Sequence, residues 1–219
     1  MHCLAHRGFA AVAPENTVEA LADASEVATM VEFDVRRCGS GELVVVHDET
    51  VDRVSDGSGR VADHSLAALS DLDVLGTGAG VPTVEDVLSA VPEETGVNVE
   101  LKERGIAEDL LGVLSDHDHE VLVSSFDDGA LREVAAIGDL PLATVFDDDP
   151  DGGLDSAHDL GATAVHPHWK LVDEGLVERA HEQGFAVNCW TIRGTDAAQG
   201  ARAAGVDGII SDDPRFCRG

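Results

Sequence analysis

Two acidic side chains lie on one face of an apolar segment, Val31–Val35. The apolar residues of this segment alternate with Glu32 and Asp34, a pattern that predicts a β-strand. Successive side chains of a strand point to opposite faces, so Glu32 and Asp34 project in the same direction. Adjacent carboxylates repel each other and lose hydration free energy when they are buried. An isolated pair of this kind is more often a solvated sheet face, so the neighbouring residues decide its meaning.

A short connection after this segment leads to a second apolar run, which is predicted to bring a histidine beside the two carboxylates. The apolar run Leu43–Val46 ends at His47, and the turn-forming segment Cys38–Glu42 precedes it. A parallel crossover needs about a dozen residues, so the two strands are predicted to form an antiparallel hairpin. Residues on either side of a hairpin turn face each other, which places His47 beside Phe33 and Asp34. An imidazole and two carboxylates then share one small volume, which indicates a functional site.

Charged residues end two further predicted strands. The first strand ends in His6-Arg7, and a later one ends in Glu100-Leu101-Lys102. Strand parity puts Glu100 and Lys102 on one face. Taken singly, these residues have ordinary interpretations, such as a structural histidine or a surface ion pair. Inward acids, a lysine and a histidine on several consecutive strand ends favour a functional interpretation. Other strand ends carry Ser124-Ser125-Phe126, His166-Pro167-His168, Trp190-Thr191 and Asp212.

The acidic residues of this group predict a divalent-cation site. Glu32, Asp34 and Glu100 offer oxygen donors without a cysteine ligand. Hard oxygen donors suit Mg²⁺ or Ca²⁺, and also Mn²⁺, better than zinc. We therefore expect one such cation where the three carboxylates meet.

The remaining residues add proton transfer and fixed positive charge. His6 and His47 can exchange protons near neutral pH, and Arg7 and Lys102 are suited to hold a phosphate group. A cation, a basic clamp and two imidazoles together favour phosphodiester cleavage. Acyl transfer is disfavoured because no G-x-S-x-G motif occurs, and a glycosidase would not need the lysine and arginine.

The elements that must position these residues alternate between strand and helix patterns. Setting aside the return strand Leu43–Val46, eight parallel strands are predicted, beginning at Cys3, Met30, Val97, Val121, Leu140, Ala164, Phe185 and Gly208. This pattern predicts an α/β fold, a (β/α)8 TIM barrel with an extra antiparallel hairpin strand after the second barrel strand. An open doubly wound sheet is the alternative. We expect a single barrel domain over residues 1–219, with a short loop-rich excursion at 50–81.

Composition narrows the environment and the partners. The chain has 43 acidic and 14 basic residues, a formal net charge of −29, and 43% apolar residues. The acidic residues are scattered rather than blocked, which is typical of a halophilic surface adapted to high salt. At about 1 M salt the Debye length is only ~3 Å, so self-repulsion is screened. The periodic apolar residues argue against disorder, and the lack of a basic patch argues against a nucleic-acid partner.

Further expectations concern location and cysteines. The N-terminus enters a strand at once and no apolar run reaches the ~18 residues of a membrane span, so we expect no signal peptide and no membrane anchor. Cys3, Cys38, Cys189 and Cys217 show no C-x-x-C spacing. Buried reduced thiols are therefore expected, which favours a cytoplasmic protein, and a zinc site or disulfide bonds are the unsupported alternatives. Nothing in the sequence specifies an oligomeric state.

Several motifs in register resemble the glycerophosphodiester phosphodiesterase family, and the likeness covers essentially the whole chain. These motifs are His6-Arg7-Gly8, Pro14-Glu15-Asn16-Thr17, Glu32-x-Asp34, His47-Asp48, Glu100-Leu101-Lys102, Ser125-Phe126 and Trp190-Thr191. The resemblance implies a (β/α)8 barrel that uses a divalent cation to hydrolyse glycerophosphodiesters to glycerol phosphate and an alcohol. It also implies roles, with Glu32, Asp34 and Glu100 as metal ligands, His6 and His47 as general acid and base, Arg7 and Lys102 on the phosphate, and Phe126 and Trp190 against the glycerol carbons.

The sequence departs from the family in the excursion, which bears on the shape of the alcohol-side pocket, and at Arg193, from which no functional conclusion follows; two alternative functions also stay open. The excursion Thr50–Val81 is short and glycine-rich, and Arg193 stands where relatives often have Asn. The alternatives are a lysophospholipid or phosphoinositide phosphodiesterase on the same barrel, and a non-catalytic barrel that binds a phosphate ligand. Asn16 is interpreted mainly as a helix N-cap, with Glu19 completing a capping box.

Overall fold

Eight parallel strands close into a barrel in the computed structural model, which describes residues 1–217. In chain order the strands are β1 (His2–His6), β2 (Met30–Arg37), β3 (Leu43–Val45), β4 (Gly96–Leu101), β5 (Val121–Ser125), β6 (Leu142–Phe146), β7 (Ala164–Pro167), β8 (Ala186–Ile192) and β9 (Gly208–Ser211). Strand β1 pairs in parallel with both β2 and β9, which closes the barrel. Strand β3 lies outside it and pairs antiparallel with β2. The predicted TIM barrel and its hairpin strand are confirmed, and the open sheet is excluded.

Helices follow the barrel strands as a βα alternation requires. They are α1 (Val18–Ala24), α2 (Leu66–Ser70), α3 (Val84–Ala90), α4 (Ala107–Leu114), α5 (Asp128–Ile137), α6 (Pro150–Leu160), α7 (Glu174–Glu182) and α8 (Thr195–Ala204). Short polar residues cap several of them, because their side chains accept hydrogen bonds from otherwise unpaired first-turn amides. Asp127 accepts from the Gly129 amide, and Asp173 accepts from the Leu176 amide. Gly205 ends α8 in the left-handed conformation, with φ 83°.

Strand parity divides the side chains between two environments. On β2, Val31, Phe33 and Val35 face outward into the main apolar core between strands and helices. The alternating residues Glu32 and Asp34 face the barrel interior. The same division on β4 and β5 brings polar side chains inward, so the interior is polar towards the carboxyl ends of these strands.

The excursion at residues 50–81 has a small apolar core of its own. It contains α2 and a 3₁₀ turn at Val61–Asp63. This second core comprises Cys38, Val44, Val46, Val51, Val54, Val61, Leu69, Val74 and Val81. Because Val44 and Val46 belong to the hairpin, the excursion packs directly against the segment that carries His47.

Two cysteines differ from the expectation of reduced thiols. Cys3 and Cys217 form a disulfide bond, with a Cα–Cα distance of 5.3 Å. They meet because β1 and β9 are neighbours in the closed barrel, and the 3₁₀ turn Pro214–Phe216 follows β9. Cys38 and Cys189 are buried free thiols, as predicted. Among residues 1–217, no helix has both the length and the hydropathy to cross a bilayer.

Candidate active site

The residues that the sequence singles out converge at the carboxyl-terminal ends of the barrel strands. Seven of them line one cavity of about 720 Å³, namely His6, Arg7, His47, Glu100, Lys102, Phe126 and Trp190. Glu32 and Asp34 adjoin it through Glu100, because one oxygen of each carboxylate lies within 4.8 Å of the others. The nine predicted site residues are therefore brought together, and their individual roles stay predictions.

The three carboxylates are neighbours because β2 and β4 pair in register, with Asp34 opposite Glu100. Glu32 and Asp34 are fully buried. Burial and the charge of Asp34 raise the pKa of Glu32. Burial also opposes ionisation of Asp34, but Lys102 and Arg7 outweigh it and hold the pKa of Asp34 well below its usual range. Neighbouring acids with opposed pKa shifts are typical of functional sites rather than of packing.

The donor set fits a divalent cation. The Oε1 atom of Glu32 is buried and makes no hydrogen bond, although a buried carboxylate oxygen normally has a partner. The cluster contains carboxylate oxygens only, with no sulfur or imidazole donor. Such oxygens are the ligands that Mg²⁺, Ca²⁺ and Mn²⁺ prefer. Glu32, Asp34 and Glu100 are therefore suited to hold such an ion.

Two basic side chains balance this acidic cluster and face the cavity. The Nε atom of Arg7 lies 3.1 Å from Asp34 Oδ2. The ammonium of Lys102 lies 2.9 Å from Asp34 Oδ1 and also contacts Glu100. Both cations line the cavity. They combine charge compensation for the carboxylates with a positive surface for an anion.

Two residues in the left-handed backbone conformation hold the metal-ligand candidates. Arg7 has φ 52°, and its amide donates to Glu32 Oε2 at 2.9 Å. Asn16 has φ 57°, and its side-chain amide donates to Asp34 Oδ2 at 2.8 Å. Such φ values cost free energy for residues with a side chain and are concentrated at functional sites. The segments that contain Arg7 and Asn16 are joined, since the backbone N–H of Asn16 donates to the Arg7 carbonyl at 3.0 Å.

Asn16 is therefore not the helix cap that the sequence predicts. The cap is Thr17, which has the extended backbone that a cap requires and accepts from the Ala20 amide. Asn tolerates the left-handed region better than other residues with a side chain, which explains its presence one position earlier. The prediction that Asn16 and Glu19 form a capping box is wrong, and Asn16 instead orients Asp34.

His6 is paired with a residue from the last barrel strand. Its Nδ1 atom is hydrogen-bonded to Asp212 Oδ1, and the other Asp212 oxygen accepts from Nε of Arg193 at 2.5 Å. Asp212 directly follows β9, whose Ser211 pairs with Ala5 of β1, so barrel closure brings Asp212 beside His6. Burial alone would lower the pKa of His6, but the charge of Glu32 and the hydrogen bond to Asp212 raise it.

His47 is paired with its sequence neighbour. Its Nδ1 atom lies 2.7 Å from Asp48 Oδ1. The Val46 amide donates to the Asp34 carbonyl at 3.0 Å, which holds the hairpin against β2 as the sequence predicts. Partial burial, Lys102 and Arg7 lower the pKa of His47 despite the nearby Asp34 charge. Two titratable groups with oppositely shifted pKa values suit a division between acid and base roles.

Aromatic side chains form the far wall of the cavity. The rings of Phe126 and Trp190 meet edge to face with centroids 5.2 Å apart, and the indole N–H donates to the His166 carbonyl at 2.8 Å. His168 packs against Trp190 with centroids 5.0 Å apart and also lines the cavity. His166 instead lies buried inside the barrel beside Asn188, away from the cavity lining.

Fold and site together define a TIM-barrel enzyme with a carboxylate-rich centre beside two basic side chains. The sequence profile of the glycerophosphoryl diester phosphodiesterase family matches residues 6–215, and the chain belongs to this family.

Known proteins resemble the chain along almost all of its length. A glycerophosphodiester phosphodiesterase of Caldanaerobacter subterraneus subsp. tengcongensis is 33% identical over 227 residues, covering 96% of this chain and 93% of that protein. A glycerophosphodiester phosphodiesterase of Bacillus altitudinis is 31% identical, covering 96% and 94%. An Oleispira antarctica phosphodiesterase, solved with the product sn-glycerol-3-phosphate, superposes with a TM-score of 0.92 at 28% identity, covering 100% and 95%.

Proposed function

We propose that this chain is a single phosphodiesterase domain that hydrolyses glycerophosphodiesters to glycerol phosphate and an alcohol. The observation that carries this proposal is the meeting of three carboxylates, two cations and two aspartate-bound imidazoles around one cavity. Family membership and the glycerol phosphate product bound to the Oleispira antarctica relative support the substrate class.

Glu32, Asp34 and Glu100 would hold one divalent cation, Mg²⁺ or Ca²⁺, with Mn²⁺ also suited to the oxygen donors. When bound, the cation would supply charge stabilisation to the phosphate oxygens in the transition state. Arg7 and Lys102 would hold the phosphate group from the cavity side. Phe126 and Trp190 would contact the glycerol carbons through their apolar ring faces.

His6 and His47 would move the protons of the reaction. One imidazole accepts the proton of the attacking oxygen, from water or from the neighbouring glycerol hydroxyl, as the new phosphorus–oxygen bond forms. The other donates a proton to the oxygen of the leaving alcohol as its bond to phosphorus breaks. If the hydroxyl attacks, water then opens the cyclic phosphate in a second step of the same kind. Each aspartate fixes its partner imidazole by accepting a hydrogen bond from the Nδ1–H group, so Nε2 is the atom that exchanges the proton with substrate.

The acidic composition leads us to propose that the protein works in high salt. A cytoplasmic location and the absence of a nucleic-acid partner stay predictions. The reaction should accordingly be measured in molar KCl.

Alcohol release from a panel of glycerophosphodiesters, with and without a chelator, tests the proposed function. We expect cation-dependent release that the chelator abolishes and added Mg²⁺, Ca²⁺ or Mn²⁺ restores. The panel includes a lysophospholipid and a phosphoinositide, whose faster turnover would favour the alternative substrates. No turnover of any diester, together with tight binding of glycerol phosphate, would contradict the proposal and favour a non-catalytic barrel.

A further inference from the structure

One arginine of the excursion joins two carboxylates that border the site. Nε of Arg53 donates to Asp48 Oδ2 at 2.6 Å, and one terminal nitrogen lies 3.2 Å from Asp48 Oδ1. Its terminal nitrogens also donate to both oxygens of Glu15, at 2.7 and 2.8 Å. The planar guanidinium presents its donors in a fixed fork, so two bidentate pairs define its position and orientation.

Each of these carboxylates has a second partner inside the cavity. Asp48 Oδ1 is hydrogen-bonded to Nδ1 of His47 at 2.7 Å. Glu15 Oε1 accepts from the Arg7 guanidinium at 3.0 Å. Arg53 therefore reaches an imidazole and a cation that line the cavity through one intervening carboxylate each, and it does not itself line that cavity.

We propose that Arg53 is a positioning residue that orients His47 through Asp48 and Arg7 through Glu15. This inference rests on the proposed function, because it assigns Arg53 to the same reaction. No motif among those that carry the family resemblance includes Arg53. Its effect is to keep both carboxylates ionised and fixed, so that neither rotates away from its partner.

The electrostatics of the two carboxylates agree with this role. The hydrogen bond from Arg53 is the main reason that the pKa of Asp48 falls to about 2. Burial would raise the pKa of Glu15, but hydrogen bonds from Arg53 and the charge of Arg7 lower it. Both carboxylates therefore stay charged near neutral pH, as hydrogen-bond acceptors for cavity residues must.

The excursion is built to hold this arginine. Val51 and Val54, on either side of it, are buried in the second apolar core. The turn between them is closed by hydrogen bonds from the Val54 and Ser55 amides to the Val51 carbonyl, at 3.2 and 3.0 Å. The backbone of Arg53 is thus anchored in that core while its side chain reaches back to the site.

Arg60 provides a matched control on the same excursion. It is an exposed arginine whose one ion pair among the described residues joins it to exposed Glu49. Arg53→Gln and Arg60→Gln therefore remove the same charge from the same segment, but only the first touches Asp48 and Glu15.

Steady-state kinetics of Arg53→Gln, Arg53→Lys and Arg60→Gln test the proposal. We expect Arg53→Gln to lower kcat and raise KM, with kcat/KM falling by about 10- to 100-fold, the usual cost of losing an orienting partner. Arg53→Lys should recover part of kcat, and Arg60→Gln should stay near the wild-type values. The double variant Arg53→Gln/Asp48→Asn should have the kcat of Asp48→Asn. Arg53 acts on His47 only through Asp48, so the two changes affect the same contact.

A second readout separates this inference from the proposed function. Imidazole ¹⁵N NMR of His47 reports which ring nitrogen carries the proton, whether or not the protein turns over any diester. We expect one tautomer, protonated at Nδ1, in the wild type and in Arg60→Gln, and a mixture in Arg53→Gln. An unchanged His47 tautomer in Arg53→Gln would overturn the proposal, as would a kcat loss that adds fully to that of Asp48→Asn. If the wild type turns over no diester but Arg53→Gln still shows a mixture of His47 tautomers, the result would contradict the proposed function and not this inference.

Discussion

The two imidazoles of the site have the same kinds of hydrogen-bond partner, but they differ in burial and in the elements that hold them. Each histidine contacts an aspartate oxygen through Nδ1, and the other oxygen of each aspartate accepts from Nε of an arginine. The His6–Asp212 side chains are 9% and 7% exposed, whereas the His47–Asp48 side chains are 35% and 27% exposed. His6 ends β1 and Asp212 directly follows β9, two hydrogen-bonded barrel strands, whereas His47 and Asp48 follow β3, which lies outside the barrel.

This difference indicates that the barrel itself fixes one half of the site. Asp212 is tied by backbone hydrogen bonds, since its carbonyl accepts from Ala11 and its amide donates to Ile192. The second half depends on side chains of the excursion, above all Arg53. We therefore expect changes around His6 to affect both folding and activity, and changes around His47 to affect activity alone.

The largest expected effect is the loss of either imidazole. His6→Gln and His47→Gln should each lower kcat by about 10²- to 10⁴-fold, because each removes one of the two proton-transfer groups. His158→Gln, an exposed histidine at the end of α6, is the matched control and should leave kcat unchanged. A His47→Gln enzyme with near wild-type kcat would break the comparison, since only the barrel-held imidazole would then take part.

The next largest effect is expected from the two aspartates, which should differ in their contribution to stability. Asp212→Asn and Asp48→Asn should each lower kcat by about 10- to 100-fold, through loss of ring orientation. Asp212→Asn should also lower the free energy of unfolding by about 1–3 kcal/mol, the cost of weakening a buried charged hydrogen bond. Asp48→Asn should cost under about 1 kcal/mol, as exposed pairs do. Urea titration in molar KCl measures both, and equal destabilisation by the two changes would remove the distinction between supports.

The smallest effect is expected at Arg193. Its side chain is 68% exposed, and the backbone of Asp212 is held without it. Arg193→Gln should lower kcat by no more than about threefold, because an exposed ion pair contributes little. The comparison is with Arg53→Gln, measured under the same conditions. A larger kcat loss in Arg193→Gln than in Arg53→Gln would show that the barrel does not position Asp212 by itself.

Local sequence signals predicted one half of the site and much of the fold. Strands β7 and β9 begin at the predicted residues, Ala164 and Gly208, because glycine ends the preceding helix and an apolar run defines each strand. The sequence predicts that His47 lies beside Asp34 because the length of a hairpin connection determines its pairing. Glu100 and Lys102 followed from strand parity on β4.

Roles that depend on contacts between residues distant in sequence are not predicted by local sequence signals. The local sequence marks Asp212 only as a strand end; its pairing with His6 follows from closure of the barrel, which puts the last strand beside the first. The same closure brings Cys3 to Cys217. The sequence favours Asn16 as a cap because its residue type suits both a cap and the left-handed backbone. Arg53 gave no signal, since the glycine-rich excursion lacks a period from which its fold can be predicted.

Cation binding tests the central claim most directly. Isothermal titration of Mg²⁺, Ca²⁺ and Mn²⁺ into the metal-free wild type and into Glu100→Gln, with folding checked by circular dichroism, needs no assumption about the substrate. We predict one cation per wild-type chain and at least about a 10-fold weaker affinity in the folded Glu100→Gln variant. Equal cation affinity in the two proteins, or no binding by the wild type, would contradict a metal centre formed by Glu32, Asp34 and Glu100.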